Sequence, residues 1–309
     1  EHETAALLTM SEVVETCEAV LREQGLGQAS LSDPAAMFLA ADIATPTKFK
    51  VKGGYLAGLG ACGFRVVGDL GHDGDLGENH YCLLLDPVTA KPRGLIAQTE
   101  LHRMRTAACG LVALKHLGAA DMQTVALIGA GRIGAYFARG FRDIFPDKQL
   151  IVASRRIETA RDLATETGAQ AMTIADAVAT AQGIVALTTA TEPVMTTAEM
   201  RPGVTIVGMG EYHELPAGLL QVADRFFVDD LGFASVLGSL SRWLARGDTT
   251  REAAAANLDG TLGAIVARKA EGRRSPHEKV LAIVQGLAIA DLALADRCRR
   301  KIQERDAAA

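Results

Sequence analysis

Three glycines set the first chemical possibility in this chain. In Val125-Ala-Leu-Ile-Gly129-Ala-Gly131-Arg132-Ile133-Gly134-Ala-Tyr-Phe-Ala, a short apolar run ends in Gly-x-Gly-x-x-Gly and a helical sequence follows at once. Gly129 allows a tight turn off a strand, Gly131 lets backbone approach a pyrophosphate with no Cβ in the way, and Gly134 lets the helix pack close to the sheet. The helix opens at Arg132 and Ile133, so their N–H groups face the phosphates. Such a pattern is weak alone, because glycine-rich turns arise by chance. Here a buried-type strand precedes it and apolar spacing follows (Ile133, Phe137, Phe141), which is the context a dinucleotide site requires.

Which nucleotide is bound is read at the end of the next strand. Roughly 20 residues past the glycines, an acidic side chain accepts from the ribose 2′-hydroxyl of NAD. This chain has Leu150-Ile-Val-Ala-Ser154-Arg155-Arg156 there, with no carboxylate. Two guanidiniums and a hydroxyl match a 2′-phosphate, since arginine forks pair bidentately with phosphate oxygens. NADP(H) is the preferred cofactor, with NAD(H) possible; the competing reading makes Arg155 and Arg156 a solvated first helical turn. Thr188, Thr189, Ala190 and Thr191 are expected to line the ribose or nicotinamide, although β propensity explains threonines there almost as well.

These residues need elements to position them. Strands at 124–128, 149–153, 170–173, 183–187, 204–207 and 226–228 alternate with helices at 132–143, 156–166, 176–180 and 197–200. That alternation predicts a parallel sheet covered by helices on both faces, a doubly wound Rossmann domain over residues 119–276. Residues 1–118 read differently. A helix over 9–25, capped by Thr9 or Ser11, is followed by β-like runs at Phe38-Leu-Ala, Phe49–Lys52, Gly63–Val67 and Tyr81–Asp86. Asp86-Pro87 through Pro92 turns Tyr81–Leu85 onto Arg93–Gln98 as a hairpin, and a helix over 101–117 leads out of this smaller α+β unit. After a loop at 272–276, a long amphipathic helix is expected from about His277 to Arg305, so that residues 277–309 complete the first unit. The fold class is α/β.

Composition narrows the setting. With 309 residues, 49% hydrophobic and 22% charged, the chain is an ordinary globular enzyme in make-up. A net charge of −5 and the lack of a basic stripe give no reason to expect nucleic acid. No apolar run reaches the roughly 18 residues of a membrane span. The five scattered cysteines lack metal-ligand spacing and suit a reducing cytoplasm. Asp73-Gly-Asp75 falls well short of a calcium loop, and no metal is expected. Glu1-His-Glu-Thr reads as a trimmed start, without the basic region of a signal peptide.

Several blocks together resemble the ornithine cyclodeaminase/μ-crystallin family: Arg105-Thr106-Ala107-Ala108, the Gly129-Ala-Gly131 turn, Thr188-Thr-Ala-Thr191-x-Pro193, and Pro202-Gly203 through Gly208. Val228-Asp229, Gly272-Arg273 and Gly286-Leu-Ala-Ile-Ala-Asp291 complete the order, over about residues 35 to 295. The resemblance implies a substrate and dimerisation unit from the N-terminal part plus the last helix, and a homodimer. It also implies that Gly208 and Asp229 contact the cofactor and that Arg105 grips a substrate carboxylate. Arg65, in Gly63-Phe-Arg65, takes the place of the family's usual lysine, and Lys52 resembles an additional lysine of some imine-reducing members. Three cations in a net-negative chain suit a small carboxylate substrate, though each could be a surface charge.

Cyclodeaminases of the family carry an aspartate just after the Val-Gly strand end, where this chain has Gly210 in Val207-Gly-Met-Gly-Glu211. Glu211 is the substitute nearest in sequence. The leading expectation is therefore an NADPH-dependent reductase of an α-imino acid such as a ketimine or iminosuccinate, with Glu211, Asp69, His72 or His80 as proton donor. Cyclodeamination with bound NAD and non-catalytic NADPH binding stay open beside it.

Overall fold

The computed structural model describes residues 2–39, 48–69 and 79–308. His72, the acidic loop around Asp73 and Asp75, and the Asp69 side chain lie outside the described residues. The first strands are β1 (Ala29–Leu31), β2 (Met37–Leu39), β3 (Lys48–Leu56), β4 (Ala61–Asp69), β5 (Asn79–Leu85) and β6 (Pro92–Ala97). They form one antiparallel sheet in the order β1-β3-β4-β5-β6, with β2 also on β3. The expected hairpin is β5–β6, with Tyr81 opposite Ala97. Thr9 caps the first long helix, Met10–Gly25, and shares a reciprocal capping box with Glu12.

Alternation along this sheet decides where its charges go. Lys52 on β3 stands opposite Arg65 on β4, Arg65 opposite Cys82 on β5, and Val67 opposite His80. With a period of two, these residues share one face. That face is buried under the linking helix, Thr99–Leu117, and the C-terminal helix, Ala288–Ala308. The other face exposes Phe49, Tyr55, Phe64, Tyr81 and Leu95.

The second sheet comprises β7 (Thr124–Ile128), β8 (Gln149–Ala153), β9 (Gln170–Met172), β10 (Gly183–Ala186), β11 (Thr205–Gly208), β12 (Arg225–Val228), β13 (Gly260–Thr261) and β14 (Val280–Ile283). All pairs are parallel, in the order β13-β12-β14-β11-β10-β7-β8-β9. Val125 and Leu127 pack on one side, Ala126 and Ile128 on the other, so both faces are covered. The order reverses between β7 and β10, and in open sheets ligands bind in the crevice outside the strand ends at that point. The α/β fold with a Rossmann-like parallel sheet is as expected.

One element corrects the sequence reading. The helix expected from His277 starts only at Ala288, and Val280–Ile283 is a strand between β11 and β12. A short, wholly buried apolar run carries no periodicity, so Val-Leu-Ala-Ile reads equally as helix or strand. Gly286, at φ +75°, then turns the chain toward the helix. Residues 231–266, unassigned from sequence, hold four short helices and the edge strand β13. Among the described residues no helix is long and apolar enough to cross a membrane.

Candidate active site

The glycine turn follows β7 at the switch point. An added Cβ at Gly129, whose φ is +125°, would lie 2.1 Å from the Leu187 carbonyl oxygen, and one at Gly134 would lie 2.1 Å from the Gly129 oxygen. Both positions are packed against backbone. Gly131 is the opposite case: among the described residues nothing beyond its chain neighbours lies within 4 Å of where its Cβ would be, and it caps the helix Arg132–Ile144 without a side-chain hydrogen bond. Open space and unpaired helix N–H groups at one point suit a phosphate. Arg155 and Arg156 are exposed at the end of the neighbouring β8, beside Ser154.

Other expected cofactor residues are placed less simply. Thr188 directs both its N–H and its hydroxyl to Glu214 Oε2, at 2.8 and 2.9 Å, while Thr189 and Thr191 are exposed and Ala190 half-buried. Gly208 faces protein, since a Cβ there would meet Leu215 at 2.5 Å. Asp229, at the end of β12, accepts from the Gly286 and Asp230 N–H groups, and burial pushes its pKa up to about 6. Glu214 was missed from sequence. Its fully buried carboxylate also accepts from Met209 N (2.9 Å) and Gly210 N (2.6 Å), tying the loop after β10 to the loop after β11.

The second group of side chains gathers around Asp291. Arg105 Nε donates to Asp291 Oδ1 at 2.9 Å, and Arg65 Nε and His102 Nδ1 each lie 3.5 Å from the same oxygen. Arg65 Nη2 lies 2.8 Å from His80 Nδ1; a guanidinium only donates, so Nδ1 accepts and the His80 proton sits on Nε2. Lys52 stands beside them, its ammonium 3.7 Å from the centroid of the Phe233 ring. Lys52, Arg65 and Arg105 are 3%, 2% and 1% exposed, which disposes of the surface-charge reading for all three.

Charge in this cluster does not balance. Burial alone would raise the Asp291 carboxyl, but Arg105, Arg65 and His102 hold it well below the usual carboxylate range. Burial first, then repulsion from Arg65, Lys50 and Arg105, drives Lys52 well below the usual lysine value. Among the described residues Arg105 Nη1 finds no acceptor and Asp291 Oδ2 no donor, although both are buried. A buried guanidinium arm left without an acceptor is costly unless something else supplies one. The arrangement can bind a carboxylate.

Glu211 is not in this cluster. Its side chain is 54% exposed and pairs with Lys50 Nζ at 3.3 Å, linking the loop after β11 to β3. Asp291 and His102 carried readable signals: a lone carboxylate in an otherwise Ala/Leu stretch, and a histidine three residues before Arg105 on the same helix face. Glu214 carried none, because its role depends on two loops meeting.

Comparison with known proteins places this architecture. An uncharacterized cyclodeaminase of Sinorhizobium fredii is 26% identical over 272 residues, covering 83% of this chain and 81% of that protein. The Δ1-pyrroline-2-carboxylate reductase of Bacillus cereus is 27% identical over 263 residues, covering 80% of this chain and 79% of the relative. The solved iminosuccinate reductase of Paracoccus denitrificans, in complex with NAD+, is 23% identical, covers 99% of this chain and 96% of its own, and superposes with a TM-score of 0.87. The sequence model of the ornithine cyclodeaminase/mu-crystallin family matches residues 1–306, and the chain belongs to that family.

Proposed function

We propose that the protein reduces an α-imino acid to an amino acid with NADPH. The observation that carries this is the buried pair of Arg65 and Arg105 against Asp291, with Lys52 beside them and Arg105 Nη1 without an acceptor among the described residues. A carboxylate supplied by the substrate would neutralise that excess and take the free guanidinium arm. Holding it there fixes the neighbouring C=N carbon, and orientation is the protein's main contribution to hydride chemistry.

The residues present fit a nicotinamide dinucleotide. Gly131 and the helix start at Arg132 would take the pyrophosphate, and Ser154, Arg155 and Arg156 the 2′-phosphate. When bound, the reduced cofactor supplies the hydride. Without a 2′-phosphate the paired arginines have no partner to grip, so NADPH is favoured over NADH. Replacing both Arg155 and Arg156 by Ala should raise the KM for NADPH about 10- to 100-fold, as expected for lost charge-assisted bonds, and leave NADH little changed.

Gly210 argues against cyclodeamination. A Cβ there would lie 2.4 Å from the Thr188 carbonyl oxygen and 2.5 Å from Glu214 Oε2, so no aspartate fits where family cyclodeaminases carry one. The exposed apolar face bearing Phe49, Tyr55, Phe64, Tyr81 and Leu95 suits a second copy, and the protein is proposed to be a homodimer; light scattering measures this directly. The deciding assay is NADPH oxidation with Δ1-pyrroline-2-carboxylate, iminosuccinate, and α-keto acids plus methylamine, beside ammonia release from ornithine. Turnover on any imino acid supports the reading. Ammonia from ornithine with silence on every imine would overturn it.

A further inference from the structure

We propose that His102 is the acid that protonates the imine nitrogen, stabilised as its cation by Asp291 and reprotonated through its own exposed edge. This rests on the imine-reductase reading. His102 lies one helical turn before Arg105 on the linking helix, and Asp291 Oδ1 is shared between them, 2.9 Å from Arg105 Nε and 3.5 Å from His102 Nδ1. In an α-imino acid the nitrogen sits on the carbon next to the carboxylate. With the carboxylate on Arg105 and Arg65, the proposed pose sets that nitrogen toward the imidazole that shares Asp291 Oδ1 with them.

Exposure separates His102 from its neighbours. The side chains of Arg65, Arg105 and Asp291 are 3%, 1% and 0% exposed, whereas that of His102 is 16% exposed although its Nδ1 is buried. Asp291 Oδ1, 3.5 Å from Nδ1, makes no hydrogen bond to the ring but is close enough to stabilise its cation, and Nε2–H is the proposed donor. His80 does not serve in this way: its Nδ1 is occupied by Arg65, and its ring stands 4.5 Å from that of His102, on the side away from solvent.

The charges facing His102 couple protonation to binding. Burial first, then Arg65 from β4, Arg105 from the linking helix and His80 from β5, hold His102 well below the usual histidine value, while Asp291 from the C-terminal helix favours its cation. A substrate carboxylate offsets the two arginines and so shifts His102 toward its imidazolium with substrate in place. The step then balances. Hydride adds to the imine carbon, the C=N π pair becomes the nitrogen lone pair, and the Nε2 proton moves to nitrogen, leaving neutral imidazole that regains a proton from water.

The experiment compares Δ1-pyrroline-2-carboxylate with its N-methylated iminium, which is permanently charged and needs no acid. His102→Asn should lower kcat on the imine by about 100-fold, the low end of what a general acid contributes, and lose the wild-type fall in rate at high pH. On the N-methyl iminium the same variant should stay within about threefold of wild type, since no proton transfer remains for it to assist. Equal losses on both substrates would assign His102 a structural role and overturn the proposal, as would an unchanged rate on the imine. Thermal melting of His102→Asn, and a parallel His102→Gln, identify a folding failure, which would appear as loss on both substrates together with a lowered Tm. A wild-type protein inactive on both substrates overturns the reductase reading and the proposal with it.

Discussion

The crevice at the glycine turn and the side-chain cluster around Asp291 are built on opposite principles. The crevice is made of backbone: Gly129 and Gly134 are packed to within 2.1 Å of carbonyl oxygens where a Cβ would sit, and Gly131 stays open. The cluster is made of side chains from three separate elements, β4, the linking helix and the C-terminal helix, meeting on Asp291. A backbone site tolerates no added atoms where its glycines are packed, as at Gly129 and Gly134, and carries little charge. A side-chain site stores charge that only its ligand balances, and it fails when one partner is removed.

The largest effect should come from breaking the cluster. Arg105→Met deletes the proposed carboxylate grip and strands Asp291, with an expected loss of about 3–5 kcal/mol of stability, as for other broken buried pairs. The same variant should lose about 1000-fold or more in kcat/KM while its NADPH affinity holds, by analogy with lost transition-state electrostatics. Calorimetric melting and cofactor titration check the two parts separately.

Within the crevice, two glycines should behave differently. Gly134→Ala forces a methyl onto the Gly129 carbonyl and should destabilise by about 1–3 kcal/mol, as overpacking does. Gly131→Ala meets nothing, at φ −83°, and should change stability by no more than about 0.5 kcal/mol while weakening NADPH binding. Equal melting losses for the two would contradict the division between packing and ligand-facing glycines.

Asp229 tests how acid the junction between the two regions is. Its folded pKa of about 6 lies above the ordinary 3.8, so its contribution to stability is complete below about 4 and is lost as pH rises through about 6. On this group alone the span is on the order of 3 kcal/mol, from the free energy of one pKa unit. The Tm difference between wild type and Asp229→Asn should therefore vary between pH 4 and 6, and level off above that range. The smallest effect belongs to Lys50→Ala. It breaks an exposed pair with Glu211 and should change stability by no more than about 0.5 kcal/mol.

The same contrast explains what was legible in the sequence. Backbone sites write themselves in contiguous patterns, so the glycine turn, the alternating strands from 124 to 228 and the absence of a carboxylate after β8 could all be read directly. Sites made of side chains are assembled by the fold. Arg105, Arg65 and Lys52 came from the family resemblance, whereas Asp291, 186 residues from Arg105, had no role until the C-terminal helix packed over β4. The strand at Val280–Ile283 was misread because four buried apolar residues show no period, and only its place between β11 and β12 settles it. Glu211 looked suited to chemistry because it follows Gly210, yet it faces Lys50 at the surface.

The central claim is that the buried cations exist to hold the substrate carboxylate. Its most direct test is the rate of NADPH oxidation with Δ1-pyrroline-2-carboxylate against Δ1-pyrroline, the same imine without the carboxylate. The account predicts that kcat/KM favours the carboxylate by about 1000-fold, comparable to a buried charge-assisted pair, and that Arg105→Met collapses this preference with NADPH binding intact. Equal turnover of both imines by the wild-type protein would contradict it.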